Sequence, residues 1–129
     1  MSIPTGTENP RPFLPAKNFE LSKSFYDALG FTKTLDGDDV AIYQIGTGGF
    51  LLQKFYVKDC AENFMMQLMV DDLDAWWAHV QSLDLKTKFG ISMLRAPALQ
   101  PWGLRVGYMS DPSGVLWHVA QRRPDTPQD

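Results

Sequence analysis

The sequence predicts an α+β fold assembled from two βαβββ modules. Three observations predict it. Two amphipathic stripes, one in each half, start behind an Asn or Asp placed as a helix N-cap. Strand-like runs separated by DGDD, GTGG and DPSG turns surround them. The order of elements in the first half recurs in the second.

The elements follow in chain order. A short strand is predicted at 13–16. Asn18 then stands at an N-cap position, and Leu21, Phe25, Ala28 and Leu29 recur at i, i+4, i+7 and i+8, the stripe of an amphipathic helix that Gly30 ends. Strands at 31–35, 40–45 and 50–57 are joined by the DGDD and GTGG turns. The second half starts with a strand at 64–70. Asp72 caps a helix whose Leu73, Trp76, Trp77, Val80 and Leu83 mark one face. A strand at 85–91 follows, then a longer loop ending in Pro101-Trp102-Gly103. A hairpin of 104–110 and 115–121 turns across Asp111-Pro112-Ser113-Gly114. The pairs Asn18/Asp72, Phe19/Leu73, Leu29/Leu83 and Phe31/Leu85 share one offset. After the second loop a larger offset aligns Phe50/Val115, Leu52/Trp117 and Gln53/His118.

At 129 residues the chain is predicted to be a single domain, residues 13–121, made of modules 13–57 and 64–121. Residues 1–12, with three prolines, read as an extended arm, and residues 122–129 as a flexible tail. A net charge of −3 argues against nucleic acid as partner and against an anionic membrane surface. No run is long and apolar enough for a membrane span, and the N-terminus has no signal-peptide core. One cysteine, Cys60, leaves no internal disulfide and fits a cytoplasmic setting. No G-x-S-x-G, Cys/His dyad or phosphate-binding loop is present, and GTGG reads as a hairpin turn.

One helix covers only one face of a four-stranded sheet, so each module exposes an open face to the other half, a ligand or a partner chain. Strand alternation assigns the faces. Pairing Ile45 with Phe50 turns Tyr43, Ile45, Phe50 and Leu52 toward the helix, and Gln44, Leu51, Gln53 and Phe55 away. Pairing Ser110 with Val115 places Val106, Tyr108, Trp117 and Val119 under the helix, and Arg105, Gly107, Met109 and His118 on the open side. Met65, Gln67 and Met69 join them there. A mostly apolar surface with a few polar groups describes a small-molecule site. Gln53, Gln67, Arg105 and His118 are its polar candidates, Phe55 and Met65 its apolar ones. Trp102, in a loop just before a strand, is placed as a cavity wall or a subunit contact. His118 alternatively reads as a hydrogen-bonded core histidine, and His79, on the helix, as solvated.

Three segments carry a family resemblance: FLPAKNFELSKSFYDALGF, NFMMQLMVDDLDAWWAHV and PWGLRVGYMSDPSGVLWHVAQ. Together they resemble the vicinal-oxygen-chelate (glyoxalase/bleomycin resistance/dioxygenase) superfamily, most closely its bleomycin-resistance-type binding proteins. The resemblance implies an open barrel of paired modules, and a homodimer in which the N-terminal arm is exchanged. Unpaired sheet edges point to assembly on their own account. The family's metal enzymes place ligands at positions that correspond here to Arg11, Gln53, Met65 and His118. Arg and Met do not ligate a borderline or hard divalent metal, and one neutral His with one neutral Gln is too few donors. The expectation is therefore no metal and no cofactor: a binding protein for a small organic ligand, antibiotic sequestration being the named possibility. Two alternatives stand beside it. One is an atypical lyase or isomerase of glyoxalase type built around Gln53 and His118, and the other is an interaction module without a ligand.

Overall fold

The computed structural model describes residues 3–122; the predicted tail beyond Arg122 lies outside the described residues. The first module comprises β1 (Phe13–Pro15), α1 (Phe19–Leu29), β2 (Thr32–Asp36), β3 (Val40–Ile45) and β4 (Gly48–Gln53). The short helix α2 (Lys58–Glu62) links it to the second. That module holds β5 (Met65–Val70), α3 (Leu73–Ser82), α4 (Leu85–Phe89), β6 (Leu94–Leu99), β7 (Arg105–Ser110) and β8 (Leu116–Gln121). The sheets have equivalent strand orders, β1-β4-β3-β2 and β5-β8-β7-β6, each with one parallel pair at the module start. The α+β architecture of two four-stranded mixed sheets is the one the sequence predicts.

Both main helices start as their caps dictate. The Asn18 side chain accepts from the Leu21 amide at 3.1 Å, and that of Asp72 from the Ala75 amide at 3.0 Å. Each such cap is worth about 1 kcal/mol. Gly30 ends α1 at φ 96°, a left-handed turn that glycine alone adopts without strain.

The segment predicted as a strand at 85–91 is instead helix α4, and β6 lies in what reads as loop. Leu85 and Phe89 are spaced for one helical turn and also for one strand face, so the pattern did not separate the two. The chain settles it by burying Leu85, setting Phe89 edge-on to Phe25 at 5.5 Å, and closing the turn at Gly90, whose amide donates to the Lys86 carbonyl. Strand β6 contains Pro97. It tolerates the missing donor because it is an edge strand with a register irregularity between Arg95 and Ala98.

The modules share one core. Trp117 of β8 touches Tyr26, Phe31 and Phe50 of the first module with ring centroids 5.5–5.9 Å apart. His79, read as solvated, bonds to the Leu29 carbonyl at 2.8 Å and ties α3 to the end of α1. The halves therefore meet through their helix-bearing faces. The opposite faces contribute no residue to this core cluster.

Candidate functional site

Register decides which side chains reach the open faces, and the two hairpins differ from the sequence reading in different ways. In the first, Tyr43 pairs with Phe50 and Ile45 with Gly48. The shift from the predicted Ile45–Phe50 pairing is even, so the face assignments within β3 and β4 survive. Gln53, Leu51, Ile42 and Gln44 stand on the outer face, while Tyr43, Phe50 and Leu52 are fully buried under α1.

In the second, Ser110 pairs with Leu116, not Val115. This odd slip turns β7 over. Gly107 and Met109 now lie beneath α3, and Val106, Tyr108 and Ser110 share the outer face with Leu116, His118 and Ala120. A Cβ on Gly107 would come within 2.6 Å of the Trp77 ring, so the indole packs on bare backbone. Arg105 is displaced from the predicted site by the same slip: it sits on the helix side and donates to Asp74 of α3 at 2.6 Å.

The cause is Asp111. Its Oδ1 accepts from the Ser113 and Val115 amides at 2.8 and 2.9 Å, which draws Val115 into a five-residue loop closed by the Asp111 amide on the Val115 carbonyl. Its Oδ2 accepts 2.7 Å from Tyr26 Oη, which itself accepts from Trp117 Nε1 at 3.0 Å. Burial pushes the Asp111 carboxyl above the ordinary aspartate range, and bonds from Tyr26 and the loop amides pull it part of the way back. Burial next to this carboxylate also raises the Tyr26 phenol.

The outer face of the second sheet carries a row across all four strands: Gln67 on β5, His118 on β8, Tyr108 on β7 and Arg95 on β6. The Tyr108 and His118 rings meet edge to face at 4.8 Å. His118 Nε2 is sealed from solvent and has no hydrogen-bond partner among the described residues. Desolvation lowers its pKa, which keeps the imidazole neutral at pH 7. Met69, Ala120 and Val106 form the next row on one side, and Leu116 and Ser110 that on the other. At the Leu116 end, Lys17, Tyr56, Glu62 and Met93 border an open pocket of about 470 Å³.

Of the predicted site residues, Met65, Gln67 and His118 are thus brought together on one face. Gln53 ends β4 of the first sheet, and Phe55, predicted within a strand at 50–57, lies in the segment just past that end; no hydrogen bond or ring contact among the described residues links either to the second sheet. Trp102, 56% exposed, sits on the β6–β7 turn, and Met65 is 62% exposed. Tyr108 and Arg95 were missed. For Tyr108 the signal is the Asp-x-Ser pattern of an Asx turn, which lengthens the loop by one residue; Arg95 lies on β6, which reads as loop.

The donor set does not fit a divalent metal. Gln53 and His118 sit on different sheets, Arg11 and Met65 offer nothing that ligates such an ion, and no group of three or more His, Cys, Asp or Glu side chains converges among the described residues. Among the described residues, no helix is long and apolar enough to cross a membrane.

Residues 10–119 match the family described as Glyoxalase/Bleomycin resistance protein/Dioxygenase superfamily. A bleomycin resistance protein of Klebsiella pneumoniae is 29% identical over 120 residues, covering 89% of this chain and 93% of that protein. The crystal structure of a bleomycin-binding protein complexed with bleomycin superposes with a TM-score of 0.76 at 28% identity, covering 91% of this chain and 100% of the other. A bleomycin resistance determinant encoded on transposon Tn5 gives 0.73 at 26% identity, covering 91% and 99%.

Proposed function

Because the chain belongs to the Glyoxalase/Bleomycin resistance protein/Dioxygenase superfamily, we propose that it is a metal-independent binding protein for a small organic molecule of the antibiotic class, acting by sequestration rather than catalysis. The observation that carries this reading is the outer row of the second sheet, where a neutral His118 with an unpaired Nε2 stands beside the Tyr108 ring on an apolar floor. A ligand seated on this face that reaches Nε2 supplies the partner it lacks among the described residues. Bleomycin is the first ligand to test, since the relatives above are named for binding or resisting it.

In this reading the functional unit is a homodimer of single-domain chains, each composed of modules 13–57 and 64–121, with arms 1–12 exchanged. The partner's first-sheet face, with Gln53 at its edge and Phe55 in the segment that follows, closes over Met65, Gln67 and His118, and Trp102 forms a wall. Exposed Met65, Phe13 and Leu99 on strands at the sheet edges support such assembly. The unit operates in the cytoplasm, consistent with a lone free thiol at Cys60.

The test is calorimetric titration of the full chain with bleomycin, run beside sedimentation analysis. Saturable binding by a dimer supports the reading, and Trp102→Ala is expected to weaken it. Absence of binding across bleomycin and planar aromatic probes overturns it. Near-stoichiometric Ni, Zn, Mn or Fe in protein purified without chelator overturns its metal independence in favour of a lyase.

A further inference from the structure

The strands of the described structure contain only four charged side chains: Lys33, Asp36, Arg95 and Arg105. Three of them turn toward the helices and are paired. Lys33 and Asp36 bond to each other and to Asp27 and Lys23 of α1, and Arg105 bonds to Asp74 of α3. Arg95 is the exception. It is in register with Tyr108, so it points outward, and no ion pair or hydrogen bond engages it among the described residues. Among the described residues, no strand places a carboxylate on either open face. Glu62 approaches the second sheet only at the Leu116 rim, beside Lys17 and against Gly114.

Resting on the binding role proposed above, we infer that the outer row of the second sheet selects a planar aromatic ligand bearing an acidic group, with the ring against Tyr108 and His118 and the acid on Arg95. Adjacent strands lie about 4.8 Å apart. One or two fused rings therefore span from His118 on β8 across Tyr108 on β7 and deliver a directly attached carboxylate to Arg95 on β6. The guanidinium fork matches a carboxylate bidentately, a geometry an ammonium cannot offer. A cationic ligand meets the reverse: a like charge at Arg95 and no carboxylate on the row to compensate it.

Three probes of one shape separate the possibilities: 2-naphthoate, 2-naphthamide and 2-naphthylmethylammonium, titrated by calorimetry into the full chain, with bleomycin alongside. The expected order places naphthoate at least tenfold tighter than the ammonium. Arg95→Gln should abolish that preference while leaving naphthamide within about twofold, and Arg95→Lys should restore most of it. Arg95 is exposed on an edge strand, and the variants' melting temperatures check that they fold. Equal affinity for acid and ammonium, a preference for the ammonium, or naphthoate binding unaffected by Arg95→Gln overturns the inference. Binding of bleomycin without naphthoate also overturns it and leaves the binding role standing. Failure of all four ligands overturns both.

Discussion

Tyr26 and Asp111, from different modules, are joined by a 2.7 Å hydrogen bond inside the core, and Tyr26 receives a second bond there from Trp117. One phenol thus holds α1, the β7–β8 loop and β8 together. The same carboxylate shapes the loop that sets the β7–β8 register, so the module contact and the open face depend on one residue.

Replacing Tyr26 with Phe leaves the Trp117 donor and one Asp111 oxygen buried without partners. The expected loss is about 1–3 kcal/mol. Urea unfolding measures it, and a change within a few tenths of a kcal/mol would show that the bond is not holding the modules.

Asp111 predicts an unusual pH response. Its pKa is raised in the folded state, so the fold binds more protons than the unfolded chain between the ordinary aspartate range and the folded pKa. Its contribution is therefore fully present below the unfolded pKa and is lost as pH rises through the folded pKa. The stability difference between the native chain and Asp111→Asn should shift in favour of the native chain on acidification from neutral pH toward the aspartate range. A flat difference, or one of opposite slope, in denaturation series at several pH values would refute this.

Gly107 lies against the Trp77 ring with no space for a methyl. Gly107→Ala should cost roughly 1–3 kcal/mol by overpacking. Combined with Trp77→Leu, which vacates the ring's position, the loss should be clearly smaller than the sum of the single losses. Strict additivity would place the strain elsewhere.

His118→Phe keeps a ring beside Tyr108 and removes Nε2. If that nitrogen anchors the ligand, bleomycin affinity should fall about tenfold, roughly one hydrogen bond, with stability nearly unchanged. Unaltered titration curves would return His118 to a packing role.

Much of the fold was legible locally. Asn18, Asp72 and Gly30 mark helix ends through bonds to residues three or four positions away, so they act as their neighbours in the chain dictate. The first-sheet faces were legible too, because a register shift of two residues preserves strand alternation. The β7 face was not: Asp111 absorbs one more residue into its loop, and the resulting odd shift exchanges Arg105 for Tyr108 on the open side. Strand β6 was hidden by Pro97, which only an edge position tolerates, and an edge is a property of the whole sheet.

By itself the sequence determined the repeated order of elements, the helix caps and the residue types unfit for a metal, because these follow from chain neighbours and side-chain chemistry. Only the tertiary structure decided that the modules bury their helix faces against each other around Trp117, and that His118, Tyr108 and Arg95 form one outward row. Those outcomes depend on contacts between residues distant in the chain, where the register of a single hairpin turns every second side chain in or out.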